Sequence, residues 1–142
     1  GSILGLKSVR DEEKAIRARA MELLDYVGVG KYHDYVAKNL SYGHQRRLEI
    51  ARALATEPKL LALDEPAAGM NATEKVELTQ LLRKISNDGV TILIIEHDVK
   101  LVMGLCDEMT VLDYGKILAQ GLPENVRKDP KVIEAYLGGH HA

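Results

Sequence analysis

The chain has 142 residues, of which 46% are apolar and 28% are charged, and its formal net charge is −2 at pH 7. This composition is typical of a soluble globular domain and excludes a disordered chain, and the near balance of charges does not indicate generic nucleic-acid binding. No run approaches the ~18 apolar residues that a membrane-spanning helix needs, so any membrane association must come through a protein partner. The single Cys106 cannot form an intrachain disulfide, and we expect an inert core thiol, in agreement with a reducing cytoplasm.

The first third of the chain is predicted to be helical. Residues 5–8 are expected to form a loop, after which Asp11 can cap a helix that Gly28 and Gly30 end. The apolar stripe of this helix, which we attribute to core packing, consists of Ala15, Ile16, Ala20, Leu23, Leu24 and Val27. The segment that follows holds three residues that could be partly exposed or part of a solvated connector: Tyr32, His33 and Tyr35.

Residues 39–52 combine a glycine turn with a strongly patterned helix start. Ser41 is a favoured N-cap residue, and Gly43 lets the backbone come close to a ligand. Apolar residues recur behind them at helical spacing, at Leu48, Ala51 and Leu54. Because exposed amides at a helix N-terminus attract anions, this segment is a candidate phosphate site, although an ordinary capped helix has the same pattern.

An apolar run of strand length, residues 60–63, ends in Asp64, Glu65 and Pro66. This is the Walker B pattern, since open α/β sheets place their ligands at the carboxyl ends of buried strands. Asp64 is then positioned to hold the magnesium of a nucleotide, and Glu65 to orient or deprotonate the attacking water. A strand followed by a helix-capping acidic pair is the alternative interpretation.

The next helix is predicted over residues 73–86 and is stopped by residues 87–89. Its expected buried side consists of Val76, Leu78, Leu81, Leu82 and Ile85. A second apolar strand, residues 90–95, then ends at Glu96, His97 and Asp98, which brings His97 to the same sheet edge as the Walker B carboxylates. A lone histidine after a strand is more often structural than catalytic.

The last third is predicted to mix short helices with one hairpin. A short helix over residues 99–105 precedes two strands, residues 109–113 and 116–120, that flank a tight turn at Tyr114 and Gly115. Tyrosine is unusual at a turn position that requires positive φ. Short helices are expected over residues 126–137, and Pro130 can start the second of them.

The signature helix, the Walker B strand and the strand ending in histidine follow one another in an order and at intervals that resemble the C-terminal half of an ABC transporter ATP-binding subunit. The LSGGQ signature of that family corresponds to residues 40–44, its D-loop to residues 68–71 and its switch histidine to His97. Tyr42 and the segments at residues 67–71 and 96–103 resemble subunits that energise import of branched-chain amino acids. The similarity runs from about residue 5 to residue 138.

The resemblance implies an α/β, partial P-loop NTPase (ABC ATPase) fold with a helical subdomain and an incomplete, mainly parallel sheet that lacks the Walker A strand. It implies ATP and Mg²⁺ as ligands of the complete domain, each ATP lying between the Walker motifs of one subunit and the signature of another. The implied roles are catalytic for Glu65 and His97, metal-binding for Asp64, and nucleotide-binding for Ser41, Tyr42, Gly43, His44 and Asn71. His44 replaces the signature glutamine and Asn71 replaces the D-loop aspartate, and each departure weakens one of these implied roles. Asparagine keeps the hydrogen-bonding oxygen but loses the charge, so a contact through Asn71 could persist in weaker form.

The chain departs from the family pattern in one larger respect, because it contains no G-x-x-x-x-G-K-[ST] motif. The glutamine loop and the adenine-stacking aromatic are not found either. We therefore expect negligible ATP hydrolysis by the isolated chain. We also expect residues 1–2 to be a tag scar, residues 3–57 the helical and signature subdomain, and residues 58–142 the C-terminal part of the ATPase core.

The expected partners are the permease subunits of an importer and a second ATPase subunit, at the cytoplasmic face of the cell membrane. Strands left without neighbours would favour strand exchange or self-association of the chain. Two other functions remain open: an inactive interaction or regulatory half-domain, and a DNA-associated ABC-type ATPase fragment. A nucleic-acid module would use a basic helix face of Gln45, Arg46, Arg47 and Arg52, but no nucleic-acid partner is expected because basic residues are not in surplus.

Overall fold

The structure is a computed structural model that describes residues 2–138, so Gly1 of the expected tag scar and residues 139–142 of the expected ATPase core lie outside the described residues. The described chain has an α/β fold, as the sequence predicted. The elements of its first part are helix α1 (Ser2–Tyr26), 3₁₀ turns at Gly30–Tyr32 and Ala37–Asn39, helix α2 (Tyr42–Leu54), strand β1 (Leu60–Asp64), helix α3 (Ala72–Asn87) and strand β2 (Thr91–Ile95). Those that follow are helix α4 (Val99–Leu105), strands β3 (Met109–Asp113) and β4 (Lys116–Gly121), helices α5 (Pro123–Val126) and α6 (Pro130–Val132), and a π-helical turn at Ile133–Leu137.

Helix α1 begins earlier than the sequence analysis predicted. The expected loop at residues 5–8 and the expected cap Asp11 both lie inside one continuous helix. The segment contains no proline and only one glycine after its start, and Glu13 and Arg17 have the favourable i,i+4 spacing of opposite charges. With no residue to stop the helix, the weak capping signal of Asp11 does not set its start.

The predicted apolar stripe of α1 is buried only near the end of the helix. Leu23 is 8% exposed, and Val27, just after the helix, is 1% exposed. Residues 5–20 are all exposed, and Ile16, which we expected in the core, is 62% exposed. The first part of α1 therefore makes no contribution to the described core.

The described chain divides into two compact units. The first consists of the described residues up to Leu61 together with Gly69–Leu93, and the second consists of Ala62–Ala68 together with the described residues from Ile94 onward. The predicted domain boundary between residues 57 and 58 stays a prediction.

The first unit has a helical core. Helix α2 contacts both α1 and α3, and the deepest side chains include Ile50 of α2 and Leu82 and Ile85 of α3. Burying a side chain of this size contributes about 1.5–3 kcal/mol. Helix α3 confirms the predicted helix at residues 73–86, but Val76 is 57% exposed, contrary to prediction. Val76 lies two positions before the buried Leu78, or about 200° around the helix, and so faces away from the core.

Strands β1 and β2 are neighbours in a two-stranded sheet. The amide of Thr91 donates to the carbonyl of Lys59 at 2.9 Å at one end, and the amide of Glu65 donates to the carbonyl of Ile95 at 2.7 Å at the other, which makes the pair parallel. The face of β2 that carries Leu93 and Ile95 is open, since these side chains are 53% and 60% exposed.

The second unit is built on an antiparallel hairpin. Strands β3 and β4 pair from Met109 opposite Gly121 to Asp113 opposite Lys116, which confirms the predicted hairpin. The turn residues Tyr114 and Gly115 have φ of 49° and 75°, as a type I′ turn requires. The hydrophobic core of this unit consists of Met109, Val111, Val126 and Val132.

Helix α4 has the bounds that the sequence predicted, and the side chain of Asp98 caps it by accepting from the amide of Leu101 at 3.1 Å. Helix α5 occupies Pro123–Val126, so the predicted helix start at residue 126 is wrong, because Pro123 provides a preorganised first turn. Pro130 starts α6 as predicted. Cys106 is half-buried, and burial together with the charge of Asp107 raises the pKa of its thiol, which disfavours a reactive thiolate.

Within residues 2–138, none of the helices is both long enough and apolar enough to pass through a bilayer.

Candidate functional site

The signature segment forms the first turn of helix α2, and Ser41 is its N-cap, as predicted. The Oγ atom of Ser41 accepts a hydrogen bond from the amide of His44 at 3.2 Å. Gly43 is buried in this turn. The cap uses one amide of the first turn. The positive end of the helix dipole lies at this N-terminus, where it attracts negative charge.

A cavity of about 280 Å³ is lined by the first turns of α2 and α3. Four of the five predicted nucleotide-binding residues line it: Ser41, Gly43, His44 and Asn71. The fifth, Tyr42, is 52% exposed and lies over Gly69 of the D-loop segment, where an added Cβ atom would stand 3.3 Å from Tyr42 Cε1. The structure therefore brings the signature and D-loop residues of the first unit together.

Asn71 has a structural use that the sequence did not predict. Its Oδ1 atom accepts from the amide of Glu74 at 2.9 Å, and its own amide donates to Oε2 of Glu74 at 3.3 Å, which forms a capping box at the start of α3. An N-cap of this kind contributes about 1 kcal/mol. The replacement of the family aspartate by asparagine thus keeps the helix cap.

The acidic groups that line the cavity have partners. Nη2 of Arg47 lies 3.2 Å from Oε2 of Glu77, while Nη1 donates to the carbonyl of Val27 at 3.0 Å. The carboxylate of Glu74 is used in the capping box. The ring of His44 packs on the ring of Tyr32 with centroids 4.7 Å apart, a contact that the sequence did not suggest.

Asp64 and Glu65 lie where β1 ends, as predicted from the Walker B pattern. Asp64 is the last residue of the strand and is exposed. Glu65 has φ of 45°, in the left-handed region, which costs a residue other than glycine about 1–3 kcal/mol. Its amide donates to the carbonyl of Ile95 at 2.7 Å, and its carbonyl accepts from the amide of Ala68 at 3.1 Å, so the backbone on both sides holds this conformation.

His97 lies next to Glu65. Its Nδ1 atom is 2.9 Å from Oε1 of Glu65, and the two side chains are 74% and 52% exposed. Because β1 and β2 are parallel neighbours, the residues that follow them meet at one edge of the sheet, which is why the sequence could suggest this pair. A carboxylate and an imidazole at this distance can exchange or share a proton.

Glu96 is a residue of this site whose role the sequence analysis missed. Its side chain is only 1% exposed, and its carboxylate accepts from the amides of Ala67 and His97, each at 3.2 Å. Its Oε1 atom lies 3.8 Å from Nδ1 of His97. The available signal was a carboxylate at the end of an otherwise apolar strand, but the sequence alone does not reveal that it is buried.

The predicted site residues fall into two groups. Ser41, Tyr42, Gly43, His44 and Asn71 belong to the first unit, and Asp64, Glu65 and His97 belong to the second.

Two family models match the chain. The one described as ABC transporter matches residues 3–68, and the one described as branched-chain amino acid ATP-binding cassette transporter matches residues 116–142. The high-affinity branched-chain amino acid transport ATP-binding protein LivG of Escherichia coli K12 is 47% identical over 137 residues, which are 96% of this chain and 54% of LivG. The protein of the same description in Pseudomonas aeruginosa, BraF, is 46% identical over 130 residues, 91% of this chain and 51% of BraF.

Solved structures of ABC transporter ATP-binding proteins also match this chain. The ATP-binding cassette MJ1267 of an ABC transporter, in its ADP conformation, matches with a TM-score of 0.78 and 34% identity, over 85% of this chain and 49% of MJ1267. The protein cbiO1 from Clostridium perfringens, part of the ABC transporter complex cbiONQ, matches with a TM-score of 0.76 and 36% identity, over 86% of this chain and 49% of cbiO1. The chain spans about half the length of the curated relatives it matches.

Agreement of this extent in both sequence and fold means that the chain belongs to the ATP-binding family of ABC transporters. Within that family, its sequence resembles the ATP-binding subunits of branched-chain amino acid transport, as the signature tyrosine and the segment after Walker B suggested.

Proposed function

We propose that this chain is half of the ATP-binding subunit of an ABC importer for branched-chain amino acids. In this role it supplies the signature, Walker B, D-loop and switch-histidine residues of the ATP site. The hydrogen bond between Glu65 and His97, at the end of the Walker B strand, is the observation that supports the proposal most. The names of LivG and BraF support the choice of solute.

The donor set at the end of β1 fits magnesium. Carboxylate oxygens are the hard ligands that Mg²⁺ prefers, and we assign the metal-binding role to Asp64. Among residues 2–138 there is no group of three or more His, Cys, Asp or Glu side chains that could hold a metal ion alone. This agrees with magnesium, which commonly uses one or two carboxylates and completes its coordination with water and nucleotide phosphates. When bound, the ion neutralises charge that develops on the phosphates.

The cavity at the start of α2 fits the phosphates of a nucleotide held by a second subunit. Gly43 lies in the first turn of α2, where the helix dipole favours an anion. Ser41, Tyr42, His44 and Asn71 surround this turn or lie beside it. In the proposed arrangement they contact the phosphates of the partner subunit's ATP, while Asp64, Glu65 and His97 act on the ATP of their own subunit.

The catalytic residues of this chain in the proposal are Glu65 and His97. Glu65 orients the attacking water and accepts its proton, and His97 holds the carboxylate in place through Nδ1. Positioning and charge stabilisation supply most of the catalysis in phosphoryl transfer, so the geometry of these two side chains determines the rate. Because the chain has no G-x-x-x-x-G-K-[ST] motif, we expect no measurable hydrolysis by the isolated chain.

The partners in this proposal are the permease subunits of the importer and a second ATP-binding subunit. The chain would then lie at the cytoplasmic face of the cell membrane without entering it. The exposed residues that precede α2, including Tyr35 and Val36 at 58% exposure each, are available for contact with a partner.

A chimera tests the proposal. This chain replaces the matching half of LivG, and ATP hydrolysis by the purified chimera is compared with that of the same chimera carrying Glu65→Gln. We expect hydrolysis by the first and a loss of at least about 100-fold in the second, with ATP binding retained. A folded chimera that binds ATP without hydrolysing it, or that hydrolyses it equally well with Glu65→Gln, would contradict the proposal.

A further inference from the structure

We propose that Glu96 is a positioning residue that holds Glu65 and His97 in their hydrogen-bonded arrangement. The inference rests on the proposed function, because that function gives Glu65 and His97 their catalytic role. Glu96 itself touches neither nucleotide nor metal in this account. It acts by fixing the backbone segments from which the two catalytic side chains extend.

Glu96 differs from its neighbours in burial. Its side chain is 1% exposed, whereas those of Glu65 and His97 are 52% and 74% exposed. A carboxylate removed from water needs strong hydrogen bonds to offset its lost hydration. Glu96 accepts hydrogen bonds from two backbone amides, those of Ala67 and His97, each at 3.2 Å. An ionised acceptor strengthens a hydrogen bond relative to a neutral one, although both of these bonds lie at the long end of the usual N–H···O range.

The bond to Ala67 stabilises the turn that contains Glu65. This turn starts with the left-handed backbone of Glu65 at φ 45° and continues through the buried Pro66, which has no amide hydrogen to donate. The amide of Glu65 is bound by the carbonyl of Ile95, and the next available amide, that of Ala67, is bound by Glu96. Ile95, the last residue of β2, and Glu96, which follows it, therefore together stabilise the unfavourable left-handed backbone at Glu65.

The bond to the amide of His97 makes the same carboxylate an anchor for the second catalytic residue. Nδ1 of His97 lies 2.9 Å from Oε1 of Glu65 and 3.8 Å from Oε1 of Glu96. One buried group thus fixes the backbone at both ends of the Glu65–His97 hydrogen bond.

The first test uses the 142-residue chain and needs no nucleotide. Amide hydrogen exchange of Ala67 and the imidazole nitrogen signals of His97 are measured by NMR in the wild type, in Glu96→Gln and in Glu96→Ala. The exposed Glu108→Gln in the same unit is the matched control. We expect Glu96→Gln to raise exchange at Ala67 by about tenfold relative to the core amide of Val111 and to shift the His97 signals, with no such change in Glu108→Gln.

The ratio of the exchange rate at Ala67 to that at Val111 separates global destabilisation from loss of positioning. Global destabilisation raises both rates equally, whereas loss of positioning raises only the rate at Ala67. Should Glu96→Ala unfold the chain, Glu96→Gln still carries the test, because it keeps the volume and one acceptor oxygen. Equal increases in exchange at Ala67 and Val111, or unchanged His97 signals in Glu96→Gln, would overturn the inference.

The second test uses the LivG chimera. We expect Glu96→Gln to lower kcat for ATP hydrolysis about tenfold with KM for ATP unchanged, and to have a much smaller effect when His97→Ala is already present. An equal effect of Glu96→Gln in both backgrounds would contradict a role exerted through His97. The two proposals can fail separately: an inactive chimera with the expected NMR changes removes the proposed function, and normal Glu65-dependent hydrolysis in Glu96→Gln removes this inference.

Discussion

Nδ1 of His97 lies 2.9 Å from Oε1 of Glu65, although the two residues are 32 positions apart in the chain. Each follows one of two neighbouring parallel strands, so the sheet brings them together without any long loop. The backbone of Glu65 is left-handed, and its amide donates a hydrogen bond to the carbonyl of Ile95. The pair is therefore part of the architecture of the strand ends.

Asn71 can be tested as a helix cap apart from any contact with nucleotide. Asn71→Ala removes the capping box with Glu74 and is expected to lower the free energy of unfolding by about 1 kcal/mol. Asn71→Asp keeps an acceptor oxygen at a helix N-terminus and is expected to change stability by less than about 0.5 kcal/mol. Urea unfolding of both variants measures the difference. Equal losses in the two variants would show that the cap is not what Asn71 contributes.

We expect position 69 to need glycine for two reasons, its left-handed backbone conformation and its close contact with the ring of Tyr42. Its φ is +76°, and an added Cβ atom would lie 3.3 Å from Tyr42 Cε1, so Gly69→Ala should destabilise the chain by about 1 kcal/mol or more. Gly89→Ala is the matched control, since Gly89 has φ of +100° and nothing within 4 Å of the added atom. The larger loss should be at Gly69, and Tyr42→Ala should reduce it. A loss at Gly69 no greater than that at Gly89 would contradict the contact.

Tyr26 gives the chain a pH-dependent stability at alkaline pH. Burial, followed by the hydrogen bond to Asp88 and the charge of Asp88, raises the pKa of Tyr26 to about 12, against about 10 in an unfolded chain. The folded state thus favours the protonated phenol, so this contribution is fully present below pH 10 and is lost as pH rises through 12. Urea unfolding between pH 9 and pH 12, roughly the window set by these pKa values, should show the loss.

The control for this pH dependence is Tyr26→Phe, which removes the titrating group and keeps the ring over which the ammonium of Lys84 lies at 4.0 Å. Its stability should fall less steeply over the same pH range. If the free energy of unfolding fell equally steeply with pH in both proteins, the loss of stability at alkaline pH would come from groups other than Tyr26.

The open sheet is expected to cause self-association, as the sequence also suggested. Leu93 and Ile95 are 53% and 60% exposed on β2, and apolar strands without full coverage favour pairing between chains. Sedimentation velocity should show a mass that rises with concentration, and Leu93→Lys and Ile95→Lys should reduce it. Val76→Lys, at an equally exposed site on α3, is the control. A single monomeric species at high concentration, or an equal effect of all three variants, would count against this proposal.

Much of the fold could be predicted where periodicity and turn residues agree. Helix α4 and strand β3 have the predicted bounds, because Asp98 caps the helix and Tyr114 and Gly115 end the strand. The start of α1 could not be predicted, since Asp11 resembles a cap and only the whole segment shows that nothing interrupts the helix. Local sequence patterns therefore predict the bounds of an element where a single capping or turn residue sets them. They fail at the start of α1, where a cap-like residue lies inside a segment that favours a continuous helix.

The candidate site divides in the same way. Residues at the ends of parallel strands could be placed from the chain alone, and Glu65 and His97 indeed meet. Glu96 and the packing of Tyr32 on His44 depend on burial and on contacts across the fold, which no local pattern encodes. The second role of Asn71, as a helix cap, was likewise hidden behind its correspondence to the D-loop.

Uptake of radiolabelled leucine tests the central claim most directly. Escherichia coli cells that lack LivG are given the chimera in which this chain replaces the matching half of LivG, and cells carrying the Glu65→Gln chimera at equal protein level are the control. The account predicts leucine uptake above the background of the deletion strain with the chimera and background uptake with Glu65→Gln. Background uptake by a chimera that folds, binds ATP and is present at the membrane, or undiminished uptake with Glu65→Gln, would contradict it.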